Sequence, residues 1–254
     1  MTKQASNPVK SAINTLEIVE GLYELDGAGV TELAAHLDLP KSNVHNYLST
    51  LRQKEYVVKE GDTYRVGLRF FELGAYARDK LKVYKIARPE VEKLAEETGE
   101  LANLLVEEHG RGSYIYRASG DQAVQVDAYA GARVHLHNTA LGKAILAHLP
   151  EEFVDEIVDY HGLPAGTPRT ITNREVLKSQ LEEIRASGFA LDDEERLKGL
   201  RCVAAPILSE EGRALGALSV SGPTTRLKGS RFEEELPEMV LEAVNVAELN
   251  VTYS

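Results

Sequence analysis

The chain of 254 residues carries 29 basic and 40 acidic side chains, a formal net charge of −11. Its 43% hydrophobic and 27% charged residues are typical of a globular protein of one large or two smaller domains, which excludes intrinsic disorder and collagen-like structure. No apolar run approaches the roughly 18 residues of a membrane helix, and no apolar segment follows the first residues, so we expect a soluble cytoplasmic protein without a membrane partner.

The first 67 residues have the pattern of three helices followed by a β-hairpin. Apolar residues recur at helical spacing three times and then at strand spacing twice. The predicted elements are a first helix capped by Ser11 and stopped by the turn at residues 26–29, helices at residues 31–37 and 41–54, and strands at residues 56–59 and 64–66. The sequence therefore predicts a three-helix unit with a two-stranded wing.

The third predicted helix has a polar, positively charged face opposite Val44, Leu48 and Leu51. Two helices joined by a short turn form a helix-turn-helix, whose second helix fits the major groove of DNA. Residues 40–54 carry a local charge of +3 and no acid, within a segment 1–70 whose net charge is only −1. A solvated helix hairpin is the structural alternative. The candidate DNA-binding residues on this helix and the wing are Lys41, Ser42, Asn43, His45, Asn46, Ser49, Thr50, Arg52, Gln53, Lys59 and Arg65.

Beyond residue 67 the pattern predicts one linker helix over residues 68–85, followed by interleaved helices and strands. Interleaving without a strict β-α-β repeat is typical of an α+β fold. The predicted helices cover residues 88–98, 139–149, 151–159, 174–186 and a last segment from Phe232. The predicted strands cover residues 102–107, 113–117, 124–129, 201–208 and 214–221. Residues 71–254 have a net charge of −10, and such an acidic surface is typical of halophilic or strongly solvated proteins.

Ordered motifs along nearly the whole chain resemble the IclR family of transcriptional regulators. The matching stretches are VKSA at residues 9–12, LEI at 16–18, the helix-turn-helix, YRVG at 64–67, GARVHLHNTALGKAILA at 131–147, GFALDDEE at 188–195, GLRCVAAP at 199–206 and SVSGP at 219–223. The resemblance implies a winged helix-turn-helix domain at residues 1–67, a linker helix at 68–86 and a GAF-like effector-binding domain at 87–254. It also implies dimers or dimers of dimers and a small-molecule effector. Two copies would read the two halves of a near-palindrome in double-stranded DNA, and we expect no cofactor.

In the family, a small organic acid lies between the Gly-Lys helix start and the strands after the acidic segment. Carried over residue by residue, the resemblance implies effector contacts at Val134, Ala140, Leu141, Asp192, Leu200, Cys202, Ser219 and Ser221. The residue types are compatible with this, because a helix start near Thr139 offers free N–H groups to a carboxylate and Ser219 and Ser221 share one strand face. The alternative is that the apolar members are core contacts and the serines cap backbone groups.

Two other classes of function remain open at this stage. The acidic run 192–195 could serve an enzyme acting on a small acid, with the first domain as an interaction module, but we interpret the run as a solvated turn. His135 and His137 with Cys202 could hold a metal, but the sequence has no CxxC or HExxH motif to support such a site. Because Cys202 is the single cysteine of the sequence, the chain folds without an internal disulfide. Phosphate-loop, GxGxxG and GxSxG motifs are absent, so we expect no enzyme and no metal. A third hypothesis is a structural DNA-bound protein with a vestigial pocket.

Overall fold

The computed structural model describes residues 5–124 and 129–253, which form two compact units that divide between Arg78 and Asp79. Each unit has its own hydrophobic core. No helix within the described ranges combines the length and hydropathy needed to cross a membrane.

The first unit contains three helices, a hairpin and a fourth helix. Its elements are α1 Lys10–Glu24, α2 Val30–His36, α3 Lys41–Gln53, β1 Val57–Glu60, β2 Thr63–Val66 and α4 Arg69–Asp79. The core contains Ile18, Leu22, Leu33 and Leu48, all at most 1% exposed, so the helical spacing of the apolar residues is what brings α1, α2 and α3 together. The antiparallel strands β1 and β2 meet in a two-residue turn, where Gly61 has φ of 59°. The predicted winged helix-turn-helix is confirmed.

Two details of the predicted first unit are wrong. Ser11 is not the cap of α1, because the extended backbone lies at Val9 and the helix begins at Lys10 without a side-chain cap. The single helix predicted over residues 68–85 is interrupted, since α4 ends at Asp79 and Leu81 is extended with ψ of 116°. Apolar residues continue at helical spacing across this interruption, so the periodicity alone hides it.

The second unit is built on a six-stranded antiparallel sheet. Its elements are α5 Lys82–Thr98, β3 Leu101–Glu108, β4 Arg111–Ser119, β5 Arg133–His135, α6 Ala140–Leu146, α7 Glu151–His161, α8 Arg174–Ser187, β6 Ala190–Asp193, β7 Leu200–Leu208, β8 Ala214–Pro223, a π-helical turn Arg231–Glu235 and α9 Leu236–Thr252. The strand order is β5-β4-β3-β8-β7-β6. Helices α5 and α9 pack on one face and α6 packs on the other, which confirms the α+β class.

Several boundaries in this unit differ from the prediction. The helix predicted to start at Arg88 begins at Lys82 and passes through Pro89, because Val83, Ala87 and Val91 bury one continuous face against the sheet. As predicted, this helix ends at Gly99, which has φ of 71°. The predicted strand at residues 124–129 includes residues 125–128, which lie outside the described residues.

The acidic run is not a solvated turn. Asp192 and Asp193 lie on β6, a strand that the sequence analysis did not predict, and β6 pairs with β7 so that Asp192 lies opposite Cys202. Asp192 and Glu195 are only 4% and 6% exposed. The run was misread because its four acidic residues show no apolar alternation, although the first two lie on a short edge strand.

Candidate functional site

The third helix displays the polar face that the sequence predicts. Val44 and Leu48 are fully buried and Leu51 is 7% exposed, so they hold α3 against the first unit. The residues proposed for DNA contact on α3, all exposed, are Lys41, Ser42, Asn43, His45, Asn46, Ser49, Thr50, Arg52 and Gln53. Lys59 on β1 and Arg65 on β2 are exposed on the wing. The structure thus places all eleven side chains on the surface of one unit.

Three of these side chains already have partners within the unit. The Thr50 hydroxyl donates to the Asn46 carbonyl at 2.9 Å, as hydroxyls inside helices commonly do. Lys59 Nζ lies 5.2 Å from the centre of the Tyr64 ring, and Arg65 forms an exposed ion pair of 3.1 Å with Glu60. The Glu60 carboxylate therefore competes with a phosphate for the Arg65 guanidinium.

The start of helix α4 is held against the end of α3. The Arg69 guanidinium donates to the Lys54 carbonyl at 3.0 Å and lies over the Tyr56 ring at 5.0 Å. The Phe70 ring packs on the same tyrosine at 4.9 Å. A cation at the C-terminal end of a helix complements its dipole, so this contact stabilises α3 as well as fixing α4.

In the second unit, strand register brings the predicted effector residues onto the α6 side of the sheet. Asp192 lies opposite Cys202, and Cys202 lies opposite Ser221. Ser219 precedes Ser221 by two residues and so shares its face. Val134, Ala140 and Leu141 are buried in the same hydrophobic core as Cys202, whereas Leu200, at the sheet end, is half-buried.

Asn103 on β3 ties the two serines together. Its amide Nδ2 donates to Ser219 Oγ at 3.2 Å and to Ser221 Oγ at 3.3 Å, and Ser221 Oγ donates to Cys202 Sγ at 3.1 Å. The serines therefore bind side chains rather than capping the backbone. Burial raises the pKa of the Cys202 thiol to about 12, with the Asp192 charge acting in the same direction. A neutral thiol in a packed core is a poor nucleophile.

Asn103, Ser219, Ser221 and Cys202 form a polar row, and a buried group of charged side chains lies beside it. The ammonium of Lys143 on α6 pairs with the Glu195 carboxylate, and both side chains are at most 8% exposed. The Glu195 backbone N–H donates to Asp192 Oδ1 at 2.7 Å. Burial nevertheless raises the pKa of Asp192 to about 7, because desolvation outweighs that hydrogen bond.

The start of α6 offers less to a ligand than predicted. The helix has seven residues, and the Thr139 hydroxyl already accepts the Gly142 N–H at 3.0 Å. A side chain at Gly142 would meet the Leu136 carbonyl oxygen at 2.2 Å, so the preceding segment packs directly against this turn. The predicted helix start at Thr139 is confirmed as its cap, and the free N–H groups available to an anion are correspondingly fewer.

The paired histidines do not assemble a metal site with Cys202. Their rings lie 5.5 Å apart, His135 contacts the Arg111 guanidinium and His137 contacts the Pro164 carbonyl. Desolvation and the Arg111 charge lower the pKa of His135 to about 4. Within residues 5–124 and 129–253, no three His, Cys, Asp or Glu side chains are grouped to hold a metal.

Four polar residues around the row were missed by the sequence analysis: Asn103, Tyr114, Arg117 and Arg196. Asn103 is only 3% exposed and interrupts the apolar strand β3, and a polar residue at a core position is the signal that could have marked it. Two surface grooves, of about 710 and 360 Å³, lie beside α7 and α8 and include none of the eight predicted effector residues.

Comparison with known proteins identifies both units. The family model for the IclR helix-turn-helix domain matches residues 11–61, and the model for the bacterial transcriptional regulator IclR C-terminal domain matches residues 75–247. The chain belongs to the IclR family of transcriptional regulators.

Relatives of known sequence and structure match this IclR-family chain over nearly all of its length. It is 36% identical over 249 residues to a "Probable HTH-type transcriptional regulator ArcR" of Halobacterium salinarum, covering 96% of this chain and 94% of that one. It is 33% identical over 247 residues to an acetate operon repressor of Salmonella typhimurium, covering 95% and 90%. The crystal structure of the Thermotoga maritima IclR has a TM-score of 0.77 and 29% identity, covering 95% of this chain and 98% of that one.

Family membership decides between the regulator and the enzyme, two of the classes of function that the sequence left open. The relatives are transcriptional regulators, and this chain is an IclR-family regulator rather than an enzyme. The buried thiol and the ion-paired carboxylates are therefore interpreted as structural or ligand-binding groups and not as catalytic ones.

Proposed function

We propose that the protein binds a specific DNA sequence through α3 and the wing. In this proposal it regulates a metabolic operon of a catabolic pathway, and a small organic acid or a sugar-derived effector controls its binding to DNA. The observation that carries the proposal is the exposed face of α3, where polar side chains stand between cations and residues 40–54 include no acid. Polar side chains can read base edges, while the cations attract phosphates.

Two copies of the chain would read the halves of a near-palindrome, as a dimer or a dimer of dimers. Leu16 on α1, Leu68 before α4 and Phe71 on α4 are 60%, 87% and 70% exposed. Large apolar side chains exposed on one small unit favour burial by a second copy. In sedimentation velocity, Phe71→Ser should shift the assembly towards a smaller species, whereas Tyr160→Ser on α7, at a side chain 69% exposed, should not.

The effector half of the proposal rests on the polar row on the α6 side of the sheet. Hydroxyl, thiol and amide groups of Ser219, Ser221, Cys202 and Asn103 lie within hydrogen-bond distance of one another inside a mostly apolar core. A few polar groups in an apolar surround are typical of small-molecule sites. The effector changes DNA affinity only if it binds the DNA-competent and DNA-incompetent arrangements with different affinities. The chain passes from one unit to the other between Arg78 and Asp79, at the end of α4.

The proposal is tested by selecting genomic fragments with the purified protein at several salt concentrations and sequencing the retained DNA. Enrichment of a shared near-palindrome upstream of a metabolic operon supports it. Retention of no sequence by folded protein contradicts it. A DNA-bound structural protein would show the same enrichment without any response to the operon's substrates.

Variants of α3 then separate base reading from phosphate binding. Asn46→Ala and Ser49→Ala should reduce the preference for the selected sequence over a scrambled one. Lys41→Ala should weaken both complexes equally and reduce the salt slope by about 1. Lys198→Ala, an exposed lysine of the second unit, is the matched control and should change neither. Equal small effects from all three α3 variants would place the recognition surface elsewhere.

A further inference from the structure

Two arginines beside the polar row share one aromatic ring. The Arg117 guanidinium on β4 lies 6.0 Å from the centre of the Tyr114 ring, and the Arg196 guanidinium lies 5.6 Å from the same centre. Arg196 also donates to the Tyr114 hydroxyl at 3.2 Å. Tyr114 is 5% exposed and both arginines are half-buried.

Neither arginine forms an ion pair with any carboxylate of residues 5–124 and 129–253. Two other half-buried arginines of the same unit, Arg201 and Arg226, are each paired with a carboxylate. Arg201 binds Asp193 at 2.5 Å and Arg226 binds Glu100 at 2.6 Å. Burial and the neighbouring Arg196 charge both lower the pKa of Arg117, so the two cations are held together at a cost in free energy.

The arginines are continuous with the row of neutral polar groups. Arg117 Nε donates to Asn103 Oδ1 at 3.0 Å, and the Asn103 amide donates in turn to Ser219 and Ser221. One Arg117 nitrogen and one Arg196 nitrogen are occupied by these contacts, which leaves several guanidinium N–H groups of each arginine for a ligand. A carboxylate would neutralise the charge and accept those N–H groups in the planar geometry that arginine favours.

We propose that Arg117 and Arg196 hold the carboxylate of the effector, while Asn103, Ser219 and Ser221 bind hydroxyl or oxo groups on the adjoining carbon atoms. This inference rests on the effector site proposed above and adds the orientation and chemical class of the ligand, a hydroxy or oxo acid. It moves the acid-binding role from the short helix α6 to two guanidinium groups.

The test compares acids with their primary amides, which remove the negative charge and keep the shape. The probes are lactate, 2-oxoglutarate, succinate and 4-hydroxybenzoate, each beside its amide, titrated calorimetrically into the full-length protein. We expect at least one acid to bind at least tenfold more tightly than its amide. Arg117→Gln and Arg196→Gln should each weaken that acid about tenfold or more and leave binding of the amide unchanged.

Two further variants make the result specific. Arg213→Gln removes an exposed arginine from the turn between β7 and β8 and should leave every dissociation constant unchanged. Arg117→Lys keeps the charge without the planar fork, so it should recover part of the acid binding even if Arg117→Gln folds poorly.

The outcomes distinguish this inference from the effector proposal on which it rests. Acid binding that is unaffected by Arg117→Gln and Arg196→Gln, or equal binding of acid and amide, overturns the arginine assignment and leaves an effector site in place. Absence of binding by every acid to the unchanged protein overturns both.

Discussion

The Lys143 ammonium, on a fully buried turn of α6, is neutralised by Glu195, which follows β6 and lies 52 residues further along the chain. The other carboxylate oxygen of Glu195 is buried and accepts no hydrogen bond from the described residues. Replacing one partner of such a pair leaves the other as an uncompensated buried charge, whereas replacing both partners by apolar residues leaves no buried charge.

We therefore expect Lys143→Met to lower the free energy of unfolding of the second unit by about 3–5 kcal/mol. The double variant Lys143→Met with Glu195→Leu should recover most of that loss. Urea unfolding measures both, and Lys93→Met, which breaks an exposed pair with Glu97 on α5, is the control that should have little effect. Equal stability of the Lys143→Met variant and the unchanged protein would show that the pair contributes nothing.

Asp192 makes the stability of the second unit depend on pH. Its pKa is about 7 in the folded protein against 3.8 as its ordinary value, because burial disfavours the charged form. Between these values the folded state binds the extra proton, so the Asp192 contribution to the free energy of unfolding falls as pH rises from about 4 to 7 and is constant above. The slope is at most about 1.4 kcal/mol per pH unit.

Unfolding measured at several pH values for the unchanged protein and Asp192→Asn isolates this contribution. The variant should gain stability relative to the unchanged protein as pH rises to 7. Asp121→Asn, at an exposed carboxylate, should show no such trend. A difference between Asp192→Asn and the unchanged protein that does not vary with pH would contradict the buried, proton-binding role of Asp192.

The thiol of Cys202 should be unreactive in the native protein. It is 6% exposed, it accepts the Ser221 hydroxyl, and its pKa of about 12 keeps it protonated at pH 8. We expect a thiol reagent at pH 8 to modify it only at the rate of unfolding. The variant Ser179→Cys, which adds an exposed thiol on α8, should show one fast and one slow reaction. Fast modification of the unchanged protein would contradict a buried, protonated Cys202 thiol.

Two helical glycines offer a matched pair of substitutions. Gly142→Ala on α6 would place a methyl group 2.2 Å from the Leu136 carbonyl oxygen, whereas Gly74→Ala on α4 meets no atom within 4 Å. We expect the first to destabilise its unit by about 1–3 kcal/mol or more through overpacking. The second should stabilise its helix by about 0.5–1 kcal/mol, since alanine is the better helix former. Thermal unfolding of both variants measures the contrast, which equal effects would contradict.

On the wing, the Glu60 carboxylate pairs with the Arg65 guanidinium and so competes with a DNA phosphate for it. Glu60→Gln releases Arg65 and removes one repulsive charge, so affinity for unrelated duplex DNA should rise and its salt slope should steepen. Glu17→Gln on α1 removes an exposed acid from the same unit and is expected to have a smaller effect. Unchanged binding by Glu60→Gln, measured by fluorescence anisotropy, would exclude Arg65 from the DNA contact.

Much of the first unit could be predicted because its signals are local. The turn residues before α3, the helical spacing of Val44, Leu48 and Leu51, and the glycine of the wing each act within a few residues of the element they specify. The ordered motifs likewise indicated the family, which the comparisons confirm. The roles of individual DNA-binding and effector-binding residues stay predictions.

The tertiary structure alone decided how the polar groups of the second unit meet. Asn103 and Ser219 lie 116 residues apart in the chain, and Arg196 meets Tyr114 across 82 residues. Such contacts depend on strand order and register, in which a shift of one residue turns every side chain to the opposite face. The sequence determined the helix-turn-helix and the α+β class through local periodicity. Long-range pairing across the sheet determined which carboxylates are buried and which arginines have no carboxylate partner among the described residues.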